Sequence, residues 1–251
     1  MKPPDFAYHA PETIAEAVTL LGDLPDAKVL AGGQSLIPLL NFRLARPAHL
    51  VDVNGLAAEL GQIYERDGGV AVGALVRQAA AERDALLAAR CPIVGMALRL
   101  VAHPVIRNRG TVCGSLAHSD PASELCAVML AVAGSVVVRS VRGDREIAAN
   151  ALFAGPMQST LADDELLMEA WFPTLAQPQA IAEESRRHGD FAMAGAVRAG
   201  DRLVLFGVGP TPVLVDPADP TRGLQPAFDR EVGPEFRLHL AREMARRVMA
   251  A

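Results

Sequence analysis

The chain is poor in most of the residue types that announce a function. Its 251 residues include three cysteines, Cys91, Cys113 and Cys126, and no CxxC pair. An odd set of unpaired thiols argues against a disulfide framework and against a closed zinc site. An iron–sulfur cluster normally takes four thiolates, so this chain cannot hold one alone. Small buried thiols in a reduced, cytoplasmic compartment are the plain reading. Aromatic side chains are also scarce, with one tryptophan and two tyrosines. Charge is modest, 24 basic against 29 acidic residues for a net of −5. An acidic chain with few stacking aromatics makes a poor generic nucleic-acid binder. Long apolar runs are missing too, although the mean hydropathy is +0.21. The longest uncharged one, Leu125–Val138, is roughly 14 residues where a membrane span needs about 20. It reads as a buried helix running into a buried strand. The opening MKPPDFAYHAPET has no apolar stretch of the secretory kind. There is no GxSxG, HExxH or Walker loop. What is left is an ordinary globular composition, 51% hydrophobic and 21% charged, long enough for one large domain or two modest ones.

The periodicities predict an α+β chain. Helices are expected at Glu12–Leu21, Ser35–Asn41, Arg77–Arg90, Pro92–Val101, Ser123–Ala133 and Glu235–Met249. The last is expected to carry Phe236, Leu238, Leu240 and Met244 on its apolar side. Strands are expected at Ala27–Leu30, His49–Val53, Ser135–Ser140, Leu166–Phe172, Ile181–Glu184, Phe191–Val197, Leu203–Val208 and Val213–Val215. Ile63–Tyr64 and Val70–Val72 flank Asp67-Gly68-Gly69 as a hairpin. His103–His118 reads as irregular, Pro173–Gln179 as a linker and Pro217–Gly233 as a loop. The chain thus divides near Pro173.

Three segments have a composition suited to ligands. The first is Leu30-Ala31-Gly32-Gly33-Gln34-Ser35-Leu36. Two glycines after a strand either make a tight turn or let a phosphate meet successive N–H groups, with Ser35 adding a hydroxyl. The spacing is not that of the GxGxxG fingerprint. The second runs from Ile106 through Gly110, Thr111, Gly114, Ser115 and His118 to Asp120. Small residues, hydroxyls and one carboxylate without core periodicity suit a ligand loop. His103 and His118 are either structural or ligand-facing. Asp120 either caps the following helix or accepts from sugar hydroxyls. Cys113, in the same loop, is either a buried thiol or a reactive one. The third is Arg186-Arg187-His188-Gly189-Asp190-Phe191. It is either a solvated loop entering a strand or a mount for Phe191 to stack on a planar ligand.

In this order and spacing, the three segments resemble the FAD-binding medium subunit of molybdenum hydroxylases, the family of xanthine dehydrogenase and carbon monoxide dehydrogenase flavoproteins. Phe6-Ala7-Tyr8 with Pro11 resembles the family's opening. LAGGQSLIP at Leu30–Pro38 resembles its first pyrophosphate loop, and IRNRGTVCGSLAHSD at Ile106–Asp120, continuing as PASEL, its second. Leu161 with Glu165-Leu166-Leu167 resembles the approach to the flavin domain's last strand. RRHGDFA at Arg186–Ala192 resembles the start of the C-terminal domain, and Glu235–Arg247 its closing helix. Two departures stand out: Cys113-Gly114 replaces a pair of glycines, and the stretch between Val215 and Pro234 is short.

The resemblance implies a two-part FAD-binding domain of the vanillyl-alcohol-oxidase type over 1–173, with subdomains of about 1–55 and 56–173. A shortened sheet-plus-helix domain would follow over 179–251. It implies that Ala31–Ser35 and Thr111–Ser115 hold the FAD pyrophosphate, flanked by Leu30 and Leu36. His118 would be a further cofactor contact, and Asp120 would bond sugar or ribityl hydroxyls. Ile106 would line the flavin ring, Leu161 its edge and Phe191 one face. No residue is expected to act as base or nucleophile. Molybdopterin would lie on a large partner subunit and [2Fe–2S] clusters on a small one, in a dimer of heterotrimers that delivers electrons to an external acceptor. Two other readings use the same residues: a stand-alone flavin reductase of the same fold, and a non-catalytic nucleotide-binding domain.

Overall fold

The computed structural model describes residues 2–226 and 232–251. The first strands and helices alternate. They are β1 (Ala7–His9), α1 (Ile14–Asp23), β2 (Ala27–Leu30), α2 (Leu36–Asn41) and β3 (His49–Asp52). The strands form a parallel sheet in the order β1-β3-β2. Thr13 caps α1 by accepting from the Glu16 amide, and Ala17, Val18 and Leu21 turn inward. This is the face that the apolar spacing predicts.

A second group follows: α3 (Ala57–Leu60), β4 (Ile63–Arg66), β5 (Gly69–Gly73), α4 (Gln78–Ala81), α5 (Ala85–Arg90), α6 (Pro92–Leu100), α7 (Pro104–Arg107), α8 (Val112–His118) and α9 (Glu124–Ala131). It continues through β6 (Ser135–Ser140), β7 (Gly143–Ala148), α10 (Ala149–Leu152), β8 (Phe153–Gly155), β9 (Gln158–Ser159) and β10 (Leu166–Pro173). Five of these strands build an antiparallel sheet, β4-β5-β10-β6-β7. Every residue of α9 is buried, so its hydrophobicity runs all round rather than along one stripe.

Here the structure adds the unexpected short helices α3 and α10 and departs from sequence expectation in three further places. Arg77–Arg90 is two short helices rather than one. Asp84 is extended, and its side chain accepts from the Leu87 amide at 2.9 Å, which starts α5 afresh. His103–His118 is not irregular. Pro104 opens α7 and Thr111 caps α8, so two cap signals sit inside a run that lacks apolar spacing. The strands β7 to β9 lack a readable pattern because β7 is largely exposed and polar.

The last group is β11 (Gln179–Ser185), β12 (Ala192–Ala199), β13 (Arg202–Phe206), β14 (Val213–Val215) and α11 (Pro234–Ala250). The strands form an antiparallel meander in chain order. Alternation sends Val197, Val204 and Phe206 into the main core, while Ala194, Ala196, Leu203 and Leu205 meet α11. The helix offers Ala241, Met244, Ala245 and Val248 to that face. Phe236, expected on the apolar side, is 54% exposed and stacks on His239. Of the expected loop Pro217–Gly233, residues 227–231 lie outside the described residues. Among the described residues no helix is long and apolar enough to cross a membrane.

Candidate functional site

The loop after β2 and the loop before α8 meet. A Cβ placed on Gly32 would lie 2.5 Å from the Arg109 carbonyl oxygen and 2.8 Å from the Gly110 Cα. Gly32 is therefore required by the second loop. Gly33 has φ +74°, a left-handed conformation that glycine adopts without strain. The chain turns there, and the amides of Gly32, Gly33, Gln34 and Ser35 donate to no group of the described residues. Four consecutive N–H groups without a protein acceptor, on residues that line a cavity, are a donor set of the kind that binds anions.

In the second loop, Thr111 caps α8 by accepting from the Gly114 amide at 3.0 Å. A Cβ on Gly114 would stand 2.6 Å from that hydroxyl. Cys113 turns inward, where its Sγ donates to the Val72 carbonyl at 3.4 Å. Burial pushes its thiol pKa well up, and Cys91 and Cys126 are likewise raised to about 12 by burial. Cys113 is 2% exposed and held in its thiol form, so it reads as a core residue, because the thiolate is the reactive form. Asp120 accepts from the Ala122 amide at 2.8 Å. The cap of α9 is instead Ser123, which accepts from the Cys126 amide. Ser119, which ends α8 just before Asp120, has φ +55°.

Two adjoining cavities open along these loops. The larger, about 440 Å³, is lined by fifteen of the sixteen candidate residues: Ala31, Gly32, Gly33, Gln34, Ser35, Leu36, Ile106, Gly110, Thr111, Gly114, Ser115, His118, Asp120, Leu161 and Phe191. The sixteenth, Leu30, lines the neighbouring cavity of about 390 Å³. Ala31 to Gln34 and Ile106 belong to both walls. Phe191 overhangs from the entrance to β12 and is 72% exposed. It follows Gly189 (φ +87°), whose missing side chain makes room for the His103 ring.

Several residues that sequence reading missed hold the loops in place. Arg77 donates to the Arg109 carbonyl at 2.7 Å and to Asn54 Oδ1 at 2.6 Å. Asn54 Nδ2 in turn donates to the Ala31 carbonyl at 2.9 Å and to Asp52 Oδ1 at 2.6 Å. Tyr8 Oη donates to Asp52 Oδ2 at 2.6 Å. One network thus ties both glycine loops to two strands of the parallel sheet. Burial alone would raise the Asp52 carboxyl, but hydrogen bonds from Tyr8 and Asn54 outweigh it and hold the pKa below its usual value. Burial, with Arg109 close by, lowers that of Arg77. Asn54 had only a turn signal and Arg77 only a helical position, so nothing local marked either one.

Glu124 lines the larger cavity and is 8% exposed. Burial, then the charge of Glu183, pushes its carboxyl up to about 8. Burial likewise raises Glu183, on β11, to about 7. The two carboxyls lie on α9 and β11, on either side of the junction of the last sheet with the rest of the chain. Arg202, on β13, crosses that junction as well, donating to the carbonyls of Ala131 and Leu130 at 2.8 and 2.9 Å.

Comparison with known proteins matches residues 4–175 to the family described as FAD binding domain in molybdopterin dehydrogenase. The alpha subunit of the 6-hydroxypseudooxynicotine dehydrogenase complex of Paenarthrobacter nicotinovorans is 44% identical over 199 residues, covering 78% of this chain and 67% of that one. The carbon monoxide dehydrogenase medium chain of Hydrogenophaga pseudoflava is 37% identical over 243 residues, covering 92% and 84%. The solved quinoline 2-oxidoreductase of Pseudomonas putida 86 superposes with a TM-score of 0.93 at 33% identity, covering 100% of this chain and 97% of that one. The fold, the family match over more than half of the chain and these relatives agree: this chain belongs to the FAD-binding subunits of the molybdopterin dehydrogenases.

Proposed function

We propose that this chain carries FAD in the two adjoining cavities and relays electrons within a heteromeric molybdenum hydroxylase. The observation that carries the reading is the meeting of the two glycine loops, with four unpaired amides on the surface they share. A dianionic pyrophosphate would accept from the amides of Gly32 to Ser35 on one side. On the other it would take the hydroxyls of Thr111 and Ser115. Such a cradle, with Arg109 on the wall of the smaller cavity, offsets two negative charges without a metal. Asp120 keeps one carboxylate oxygen for sugar or ribityl hydroxyls. Ile106 and Leu161 supply apolar walls for the ring, and Phe191 closes one face.

FAD, when bound, accepts and passes on electrons singly or in pairs. The protein's part is to hold the ring, shape its surroundings and limit water. No side chain is assigned as base or nucleophile. With three buried thiols, the chain offers no four-thiolate site. The electrons are therefore proposed to come from [2Fe–2S] clusters on a small partner subunit, fed by molybdopterin on a large one. The complex would be a cytoplasmic dimer of heterotrimers that passes electrons to an external acceptor. The chain itself divides into an FAD-binding unit over 1–173 and a C-terminal unit over 179–251. The family match ending at residue 175 supports that division. Separate parallel and antiparallel sheets support subdomains of about 1–55 and 56–173.

Native mass spectrometry with metal analysis tests this reading. The expected particle contains this chain, a larger molybdenum chain and a smaller iron chain, with one FAD per copy of this chain. A flavin-loaded chain that purifies alone and reduces a substrate by itself would instead indicate a stand-alone reductase.

A further inference from the structure

Gln78 begins α4 and is only 3% exposed. Its backbone amide donates to the Gly110 carbonyl at 2.8 Å, which pins it against the second glycine loop. Its Nε2 donates to Ser115 Oγ at 2.9 Å. Its Oε1 is buried and has no partner. Both residues line the larger cavity. Gly110 lies against that oxygen, and only a glycine fits there, because a Cβ would stand 2.6 Å from it. A buried amide can satisfy two donors and an acceptor, and proteins rarely leave the acceptor bare. Ser115 is left similarly incomplete. Its oxygen accepts from Gln78, and among the described residues nothing takes its hydrogen.

We infer that Gln78 is a positioning and recognition residue, whose amide directs the Ser115 hydroxyl at a phosphate oxygen and offers Oε1 to a neighbouring ligand hydroxyl. The inference rests on the reading that this face of the cavity holds the FAD pyrophosphate. Ser115 needs an acceptor and Gln78 needs a donor, side by side. A phosphate ester joined to a polyol or ribose presents that pair. The glutamine thus senses both the charged centre and the sugar attached to it, which a helix dipole or a free amide alone does not do.

The test is FAD titration of the full-length apoprotein, followed by flavin fluorescence, together with 31P resonances of the bound pyrophosphate. Wild type is compared with Gln78→Met, Gln78→Glu, Ser115→Ala and the Gln78→Met/Ser115→Ala double variant. Gln78→Met is expected to weaken FAD about tenfold, the loss of one or two hydrogen bonds. Gln78→Glu is expected to weaken it further, because a carboxylate cannot donate to Ser115 and repels phosphate. The double variant should be little worse than the weaker-binding single variant, since both disrupt one unit. The 31P resonances should shift in each single variant. Unchanged affinity and 31P spectra in a folded Gln78→Met, or fully additive losses, would overturn the inference. Glutamate matches glutamine in shape, so Gln78→Glu carries the test if the methionine variant does not fold. A Gly33→Val variant is titrated alongside, and unchanged FAD affinity in it and in Ser115→Ala as well would overturn the loop reading itself. Unchanged affinity in the Gln78 variants alone overturns only the role of Gln78 and leaves the loops standing.

Discussion

The two glycine loops look alike in the sequence and work differently in the fold. In the first, one glycine is set by a neighbouring backbone and the other by its own left-handed φ. Its donors stay unpaired. In the second, the chain is helical from Val112, capped by Thr111 and braced by Gln78. There the cavity wall includes the side-chain hydroxyls of Thr111 and Ser115. Under the proposed function, the bare amides would recognise charge and the braced hydroxyls charge together with shape. The pair needs both, and Arg77 with Asn54 ties them together.

The largest expected effect separates the loops most sharply. Gly32→Ala pushes a methyl group against the backbone of Arg109 and Gly110. It should lower the thermal midpoint by about 5 °C or more and abolish FAD retention, because both loops shift. The corresponding change in the second loop, Gly114→Ala, meets only the Thr111 side chain. It should cost about tenfold in FAD affinity with a smaller thermal loss. Equal effects, read by calorimetry and FAD titration, would erase the distinction.

Arg77→Met probes the tie between the loops. It removes the bonds to the Arg109 carbonyl and Asn54 while keeping the aliphatic stem. FAD affinity should fall about tenfold, mainly through faster release seen by stopped-flow displacement. An unchanged release rate would mean that the loops hold their positions without the clamp.

The junction between the last sheet and the rest of the chain responds to pH instead. Glu124 and Glu183 have folded pKa values of about 8 and 7, raised above the usual 4.5 by burial. A raised carboxyl contributes its stability fully below about pH 4.5 and loses it as pH rises through 7 to 8. The thermal midpoint should therefore fall by about 5 °C between pH 5 and pH 8, and Glu124→Gln should flatten that fall. A midpoint that rises over the same range would contradict the assignment. The smallest effect is expected at Phe191, which is exposed and touches the cavity only from its rim. Phe191→Ala should change flavin fluorescence or potential and leave most FAD bound. If neither spectrum nor potential moves, the stacking role is wrong.

Much of the fold was legible because its core elements are strongly patterned. Thr13 and the spacing of Ala17, Val18 and Leu21 predict α1, and Ala27–Leu30 and Val213–Val215 predict two strands to the residue. The breaks were not legible where a cap acts without apolar spacing, as at Asp84 and Thr111. The candidate site was legible in its loops, which the structure brings together around one cavity, and not in its braces. Glycines and hydroxyls announce a ligand loop by composition. Gln78, Arg77, Asn54 and Asp52 are ordinary polar residues in sequence, and only the packing of three separate segments gives them a common task. The reason for Gly32 was likewise hidden, because it lies nearly eighty residues away at Arg109 and Gly110.

The most direct measurement is FAD titration of the purified apoprotein beside its Gly33→Val variant. Gly33 has φ +74°, and a Cβ on it would stand only 3.1 Å from Ile37 Cγ1, so a β-branched residue there must deform the donor surface. One FAD per wild-type chain is expected, and a folded Gly33→Val chain should stay colourless. A wild-type chain that ignores added FAD, or a Gly33→Val chain with normal flavin content, would contradict it.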